Sequence, residues 1–469
     1  MGITEKEKNK RNKIIIGTVI SLCTLLIIYF SMAAYFKNHF YFGSEINGIN
    51  VSTKTVEEAK GEMASKLKTY SLSLEERDSK NEQIKGSDIG LKYNFGEQLK
   101  TFKDRQNPYK WVSSFFNTED SKMKIEVSYD TKLLKERIDK LSCFDSKNIV
   151  EPKNPSFKYA DKGYTIVGEV NGNKVNKEIL YDNVVKAINK EEAAVDLEAA
   201  NCYVRPKYTK DSPKTIEVKN TLNKYVSSKV TYTFGDGKEI IDGSTINKWL
   251  TVNEDLGVIF DEEKVKSYME SLCNTYNTVG KVRNFSTSSG NTMTIGGGDY
   301  GWHIDTAKET QALTDAIKEG KTITKEPTYL QTAAAHGSND IGNTYVEIDM
   351  RNQHLWFYKN GSLIVQGDVV TGNVSANHST PEGIYKLKYK ERNAVLRGPG
   401  YSSPVNFWMP FNNGIGIHDA SWRGEFGGSI YRTSGSHGCV NSPYYLAKTI
   451  FDNIDEGTPV ICYYSYGKA

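Results

Sequence analysis

A cysteine and a histidine near the C-terminus have the residue types and the spacing of a nucleophilic site. Cys439 follows His437 by two positions in the segment SGSHGCVNSP, residues 434–443. A thiol attacks as a thiolate, and a free cysteine with a pKa of about 8.5 is mostly protonated at neutral pH, so the nucleophile needs a base. Side chains two positions apart in an extended chain share a face. We therefore expect His437 to meet Cys439 across Gly438 and to act as its main base.

The backbone around Cys439 is predicted to assist the same chemistry. Ser442 and Pro443 are typical of the N-cap and the first residue of a helix, and the apolar stripe that would follow is Leu446, Ile450 and Ile454, with Gly457 as the stop. A helix N-terminus carries partial positive charge, which favours a thiolate. The amides of Gly438 and Cys439 are candidates to bind an oxyanion.

A second histidine lies upstream, in GIGIHDASW, residues 414–422. The alternation of apolar residues and glycine before His418 and Asp419 predicts a strand that delivers the histidine to the rim of a site. We expect His418 to contact the substrate or to support it electrostatically, and not to be the main base.

Two other interpretations of these residues remain open. Cys439 and His437 as a buried structural thiol and a core histidine would be the ordinary reading of isolated residues, but glycines flank the pair on both sides. His418, His437 and Cys439 could instead ligate zinc, which accepts imidazole and thiolate, although the spacing matches no familiar zinc motif. We predict no metal site and assign no role to the histidines His39, His303, His336, His354 and His378. Four further cysteines are expected to pack as small apolar groups: Cys143, Cys202, Cys273 and Cys462.

Composition and the N-terminus limit where such a site would work. Lys and Arg total 60 against 57 Asp and Glu, a balance that gives no reason to expect a nucleic-acid partner. Residues 14–36 contain no charged side chain and are long enough to cross a bilayer. Because basic residues are concentrated in residues 1–13, we predict a cytoplasmic tail, a single-pass membrane anchor and an extracellular remainder. A cleaved signal peptide is the alternative.

The middle of the chain is predicted to be a domain duplication. VSYDTKLLKERIDKL at residues 127–141 matches VIFDEEKVKSYMESL at residues 258–272, each a strand end, an Asp and an amphipathic helix. Residues 172–188 match residues 301–317 in the same way. Since a spacing near 130 residues is a whole domain, we expect two α+β copies, the first repeat at 43–209 and the second repeat at 210–333. IKGS at residue 84 and IDGS at residue 241 are predicted to open them.

A mostly-β C-terminal domain is predicted for residues 343–469. The small and polar segment QTAAAHGSNDIGN, after residue 330, has the composition of a linker. Asn360-Gly361 between two β-rich runs is a strong hairpin signal. The fold class is therefore an N-terminal transmembrane helix, two α+β repeats and a mostly-β catalytic domain.

These residues resemble the signature of the L,D-transpeptidase catalytic domain, also called YkuD-type: a histidine followed at a distance by Ser/Thr-His-Gly-Cys-X-Asn. Here the match is His418, then Ser436-His437-Gly438-Cys439-Val440-Asn441. The likeness covers about residues 343–464. The two upstream repeats are similar to the peptidoglycan-binding domains that accompany this catalytic domain.

The resemblance implies a reaction at the cell wall. Cys439 would attack the bond between residue three of a tetrapeptide stem and its terminal D-Ala, with His437 as base and with Ser436, Asn441, Asp419 and the amides of Gly438 and Cys439 as supports. An amine from a neighbouring stem would then take the acyl group to give a 3→3 cross-link, with no metal or organic cofactor. Carbapenems are expected to acylate the same cysteine. The alternatives are an L,D-carboxypeptidase, with water as acceptor, and a non-catalytic wall-binding scaffold.

Overall fold

The computed structural model describes residues 4–116, 120–337, 339–398 and 400–465. The α-helices of the described residues are α1 (Glu5–Tyr35), α2 (Val56–Lys68), α3 (Gln98–Arg105), α4 (Thr131–Asp139), α5 (Lys177–Asn189), α6 (Pro213–Val226), α7 (Gly243–Ile246), α8 (Glu262–Tyr276), α9 (Thr306–Glu319), α10 (Tyr431–Ser434) and α11 (Tyr444–Asn453).

The β-strands of the described residues are β1 (Glu45–Ile46), β2 (Ile49–Asn50), β3 (Ser71–Glu75), β4 (Asn81–Lys85), β5 (Lys92–Asn94), β6 (Asp120–Ser121), β7 (Glu126–Ser128), β8 (Ser156–Ala160), β9 (Gly163–Val167), β10 (Ala194–Asp196), β11 (Lys229–Phe234), β12 (Gly237–Ile241), β13 (Leu250–Val252), β14 (Val258–Phe260), β15 (Arg283–Ser286), β16 (Thr292–Ile295), β17 (His303–Ile304), β18 (Thr322–Lys325), β19 (Tyr329–Gln331), β20 (Tyr345–Asp349), β21 (His354–Lys359), β22 (Ser362–Asp368), β23 (Gly383–Lys386), β24 (Glu391–Gly398), β25 (Tyr401–Asn412), β26 (Ile415–Asp419), β27 (Val440–Ser442) and β28 (Pro459–Tyr463).

Helix α1 is the candidate membrane span. Its 31 residues have a length of about 46 Å at about 1.5 Å per residue, which exceeds a hydrocarbon core of about 30 Å. By length and composition it is the one described helix that could cross a membrane, and a signal sequence near an N-terminus meets the same criterion. It starts ahead of the charge-free run of residues 14–36 and ends at Tyr35.

The two repeats have the same topology, which confirms the predicted duplication. In the first, β3 pairs antiparallel with β4 and parallel with β10. In the second, β11 pairs antiparallel with β12 and parallel with β18. Helices α4 and α8 begin after the capping residues Asp130 and Asp261. They bury Ile138 and Met269, the two positions that the sequence comparison aligned, to the same 1% exposure.

One hairpin does not follow the boundary that we placed at residue 210. The chain divides into two compact units, residues 1–155 with 168–209, and residues 156–167 with 210–469. The hairpin β8–β9 therefore belongs to the second unit, where the Asn223 side chain accepts from the Tyr164 N–H at 2.7 Å and donates to its carbonyl at 3.2 Å. The equivalent hairpin of the second repeat, β15–β16, packs Phe285 against Ile384 and Ile461 of the C-terminal domain. Sequence periodicity cannot detect that a hairpin packs on the domain that follows its own repeat, because periodicity reports similarity between segments and not contacts between them.

The predicted linker between the second repeat and the C-terminal domain is a packed segment. Asp340 accepts two hydrogen bonds from Arg283, at 2.6 and 2.7 Å, and the two side chains are 1% and 4% exposed. Trp302 donates its indole N–H to the Ala335 carbonyl at 2.7 Å. The segment with the composition of a linker therefore packs against the second repeat through Asp340 and Ala335.

Two sheets enclose the core of the C-terminal domain. One has the order β22-β21-β20-β28-β23 and the other the order β24-β25-β26-β27. Side chains of both sheets and of α11 form one buried cluster, with Val346, Phe357, Met409, Ile417 and Ile450 among its members. Asn360 and Gly361 have φ values of 52° and 81° at the turn between β21 and β22, so the predicted hairpin and the mostly-β domain are confirmed.

Candidate active site

The pairing of strands β26 and β27 brings His418 and Cys439 to one cavity. Strands β26 and β27 are parallel neighbours, with His418 opposite Asn441. Cys439 lies directly before β27, two positions ahead of Asn441, at the end of a bend. All three residues line a cavity of about 180 Å³, the cysteine cavity, whose walls are Leu396, Ser403, His418, Trp422, Arg423, Gly435, Ser436, His437, Cys439 and Asn441.

His418 is held as a neutral imidazole with one nitrogen free to accept a proton. The residue is 3% exposed, and its Nδ1 lies 2.9 Å from the Asp419 carbonyl oxygen. A carbonyl only accepts, so Nδ1 carries the hydrogen and Nε2 keeps its lone pair. Burial lowers the pKa of His418 below its ordinary value. This geometry is that of a base, a role that the sequence did not favour for His418.

Cys439 is a protonated thiol in the resting site. Its Sγ donates to the Gly414 carbonyl at 3.5 Å. Burial raises the pKa of Cys439 to about 11, against the smaller opposing effect of a hydrogen bond from the Gly416 N–H. Burial therefore opposes the thiolate that the sequence led us to expect, because the cavity wall removes solvent from the sulfur.

The helix expected to stabilise that thiolate is not adjacent to it. Ser442 ends strand β27, and α11 begins at Tyr444 with Pro443 as its N-cap. Three strand residues separate Cys439 from the helix, which is about 10 Å at about 3.3 Å per residue. The effect of a helix dipole falls off within the first turn. The predicted cap is thus wrong by one position, and the predicted dipole effect is lost.

The loop before Cys439 is a bend closed by Ser436. The Ser436 hydroxyl donates to the Cys439 carbonyl at 2.5 Å and accepts from the Gly438 N–H at 3.0 Å. Thr380 donates its hydroxyl to the Gly438 carbonyl at 2.6 Å. Gly438 has φ +119°, a conformation that side chains disfavour. The expected extended segment is therefore wrong, and the Gly438 amide is already engaged, which leaves the Cys439 amide as the backbone candidate for an oxyanion.

His437 lines the cysteine cavity as predicted but occupies its outer side. The residue is exposed and lies in the bend, and its ring centroid is 5.0 Å from that of His378. The sequence had assigned no role to His378. His418, which is buried on a strand with its Nδ1 at the Asp419 carbonyl, has the geometry of a base of defined orientation.

Asp419 and Asn441 support the strands that carry the site. The Asp419 carboxylate is 1% exposed and accepts from both nitrogens of Asn406 and from the Phe407 N–H, at 2.7 to 2.9 Å. Asn441 exchanges two backbone hydrogen bonds of 2.9 Å with Val370 and turns its side chain to the cavity. The Asp419 carboxylate therefore hydrogen-bonds to strand β25, whereas the backbone carbonyl of Asp419 contacts the His418 ring.

Several groups that the sequence did not identify appear in the structure. Trp422 and Arg423 line the cysteine cavity, and their only sequence signal was their position three and four residues after Asp419. A metal site needs several ligand atoms close together. In the described part of the chain, one group of three such residues has its ligand atoms within 4.8 Å of one another: Glu76, Glu82 and Cys143, in the first repeat. His418, His437 and Cys439 do not form such a set, which removes the geometric basis of the zinc interpretation.

Comparison with known proteins assigns two domain families to this chain. The family profile "L,D-transpeptidase catalytic domain", YkuD, matches residues 343–462. The family "Putative peptidoglycan binding domain" matches residues 82–196 and 211–324. No curated protein sequence matches the chain.

Solved structures with sequence similarity include an Ldtfm-avibactam carbamoyl enzyme, 37% identical over 54% of this chain and 100% of its own, with a TM-score of 0.46. A variant of the Enterococcus faecium L,D-transpeptidase is 37% identical over 52% of this chain and 98% of its own, with a TM-score of 0.45. The catalytic domain of the E. faecium L,D-transpeptidase is 42% identical over 26% of this chain and 97% of its own, with a TM-score of 0.24.

Proposed function

This chain belongs to the L,D-transpeptidase family, and we propose that it cross-links peptidoglycan stems through an acyl-enzyme on Cys439. The observation that carries the proposal is that His418, on β26, and Cys439, directly before β27, line the wall of one open cavity. The family match of the two repeats supports peptidoglycan as the substrate. The repeats would then bind or space the enzyme along the wall.

In the acylation step, Sγ of Cys439 bonds to the carbonyl carbon of stem residue three while its proton passes to Nε2 of His418. The bond to the D-Ala nitrogen breaks, and His418 returns the proton to the departing amine. A neutral thiol and a neutral imidazole suit this transfer, because the resting site then has to stabilise neither a thiolate nor an imidazolium before the substrate arrives. We assign the base to His418 in preference to His437 on the geometry of Nδ1 and the Asp419 carbonyl.

In the deacylation step, a side-chain amine of a second stem attacks the thioester and gives a proton to His418. The carbon–sulfur bond breaks, and His418 passes that proton to the departing Sγ of Cys439, which restores the thiol. The product is a 3→3 cross-link. Water as the attacking group would make the enzyme an L,D-carboxypeptidase. The catalytic domain of the E. faecium relative has been solved acylated by ertapenem, which supports acylation of Cys439 by carbapenems.

The proposed location is the outer face of a membrane. With α1 as a single-pass anchor and its basic N-terminal tail in the cytoplasm, both repeats and the C-terminal domain lie on the cell-wall side. A cleaved signal sequence would place the same domains outside without the anchor. The mass of the N-terminal peptide from cells distinguishes the two cases, since an anchor retains α1.

The test of the function is incubation of the full chain in detergent with purified disaccharide-tetrapeptide, and reading of the products by mass. We expect dimers lighter than two monomers by one D-Ala. The Cys439→Ala variant should give none, and the matched variant Cys462→Ala, which alters a buried thiol outside the cavity, should retain them. Monomers that have lost D-Ala without dimers would support the carboxypeptidase. Unchanged substrate would refute both activities.

A further inference from the structure

Arg423 places an uncompensated positive charge in the cysteine cavity. Its Nε is buried and has no hydrogen-bond partner. Burial alone lowers the pKa of Arg423, with no neighbouring carboxylate opposing it. Among the described residues, no acidic side chain forms an ion pair with its guanidinium. A half-buried guanidinium with an unsatisfied N–H has an electrostatic cost that a bound anion would relieve.

The backbone holds Arg423 beside the reacting groups. Its N–H donates to the Ala420 carbonyl at 3.0 Å, which closes a turn immediately after β26. From there its charge reaches His418, whose pKa it lowers. Arg423 carries the only fixed charge among the residues that line the cavity. An anionic group that enters the cavity therefore has one charged partner.

The proposed reaction brings one such anion to a defined distance. The carboxylate carbon of the leaving D-Ala is three bonds from the attacked carbonyl carbon, at most about 4 Å away with ordinary bond lengths. A guanidinium binds a carboxylate through two parallel hydrogen bonds. Resting on the proposed function, we propose that Arg423 binds the terminal carboxylate of the donor stem and thereby selects donors that end at the D-residue next to the scissile bond.

The experiment compares two donors that differ only in this group: a tetrapeptide stem with a free terminal carboxylate, and the same stem with a terminal amide. The full chain is assayed for release of D-Ala or D-alaninamide by mass. The variants are Arg423→Gln, Arg423→Lys, which keeps the charge without the fork, and Arg432→Gln, an exposed arginine of the same domain that lies outside the cavity.

We expect wild type and the Arg432→Gln variant to prefer the carboxylate donor by about 10- to 100-fold in kcat/KM, the usual range for a hydrogen bond to a charged group. Arg423→Gln should lose the preference by slowing the carboxylate donor alone, and Arg423→Lys should retain part of it. A purely structural role would slow both donors equally. Equal use of both donors by wild type, or an unchanged preference in Arg423→Gln, would overturn the inference.

A binding measurement separates this inference from the reaction itself. In the Cys439→Ala background, which cannot form the acyl-enzyme, the fluorescence of the cavity residue Trp422 reports equilibrium binding of the two peptides. Tighter binding of the carboxylate peptide that is lost with Arg423→Gln supports the inference even if wild type releases no D-Ala. Equal binding, or no binding of either peptide, contradicts it.

A second surface stands on a separate observation, at the C-terminal end of α1. The 3₁₀ segment Pro108–Phe115 packs on the last turns of that helix. Trp111 donates its indole N–H to the Tyr29 carbonyl at 3.2 Å and stacks on Phe36 with ring centroids 6.1 Å apart. Ala33 and Phe36 are buried by this contact region, at 2% and 0% exposure. The helix end and the segment therefore form one body.

The outer side of this segment is apolar and uncovered. Tyr109, Val112, Phe115 and Phe116 are 59%, 42%, 61% and 82% exposed. Large aromatic side chains are rarely concentrated on a surface that faces water alone. Aromatic residues are enriched at the interface of a bilayer, where their amphipathic rings sit at the level of the headgroups.

Helix length places the segment at that depth. The charge-free run of residues 14–36 would span about 34 Å, which is enough for a hydrocarbon core of about 30 Å. Residues 14–28, the part of this run that precedes the contacts with the 3₁₀ segment, would span only about 22 Å. The turns that pack against the segment are therefore needed to complete the span. Resting on the proposed anchoring, we infer that residues 108–116 lie in the outer lipid interface and hold the first repeat against the membrane.

The test uses the full chain in phospholipid vesicles, with the photo-crosslinking residue p-benzoylphenylalanine in place of Phe116, of Ile20 within the span, or of Leu133, an exposed apolar residue of the same repeat. We expect lipid adducts by mass at positions 116 and 20 and none at 133. An adduct at 20 without one at 116 overturns the interface inference alone. No adduct at 20 overturns the anchoring as well.

Discussion

The identity of the base is open to a test by pH. We expect the His418→Gln variant to convert a flat pH profile of acylation into one that rises tenfold per pH unit. In wild type the base accepts a proton only when neutral, and burial lowers the pKa of His418, so the neutral form is present throughout the range above about pH 6.5. The acid limb of the wild-type profile should accordingly lie below that value.

The magnitude follows from the thiol. With the pKa of Cys439 at about 11, the thiolate fraction at pH 7 is about 10⁻⁴ without a base. A positioned general base contributes about 10²- to 10⁴-fold. We therefore expect acylation by His418→Gln to be slower by about 10³-fold at pH 7. Since each pH unit raises the thiolate fraction tenfold, the deficit should shrink to about tenfold or less at pH 10.

The assay is the single-turnover rate of acyl-enzyme formation, followed by intact mass between pH 6 and 10. His437→Gln is the matched control and should keep the flat profile of wild type, since His437 is exposed and the proposed proton path bypasses it. Thermal unfolding of both variants separates loss of chemistry from loss of fold. A flat pH profile in His418→Gln, or a rising one in His437→Gln, would refute the assignment of His418 as the base and favour His437, the base predicted from the sequence.

Three further outcomes are expected. Alkylation of Cys439 by iodoacetamide, located by mass, should be about 100-fold slower at pH 7 than that of a thiol with the ordinary pKa of 9.0, because the thiolate fraction falls tenfold for each unit by which the pKa is raised. If the alkylation rate had its midpoint below pH 8.5, the resting thiol would not be protonated. The Gly438→Ala variant should lose about 1 to 3 kcal/mol of stability in urea unfolding, because a side chain is strained at φ +119°, and it should acylate slowly because the bend carries the nucleophile; unchanged kinetics would argue against that dependence. Arg283→Met should cost about 3 to 5 kcal/mol by leaving Asp340 charged and buried, against less than about 1 kcal/mol for Lys132→Met in the exposed pair with Glu136; equal losses would contradict the packed segment.

Local patterns identified much of the fold. The duplication, the β-rich C-terminal domain and the Asn360-Gly361 turn were predictable, because each depends on apolar periodicity or on a backbone preference confined to a few residues. The boundary of the first repeat was not, since Asn223 holds the hairpin β8–β9 from a distance of about 60 positions along the chain. Nor was the packing of the linker, which depends on an ion pair between Arg283 and Asp340.

The sequence by itself determined the chemical groups of the site: Cys439 as the only candidate nucleophile, two histidines, and the glycine that lets the chain bend before the thiol. Their roles depended on tertiary structure. The pairing of β26 with β27 brings His418, 21 positions away, to the same cavity as Cys439, while His437 lies exposed on the bend at Gly438. Burial then raises the pKa of Cys439 and lowers the pKa of His418. Side-chain proximity and solvent exclusion arise from contacts between distant segments, and a linear pattern does not contain them.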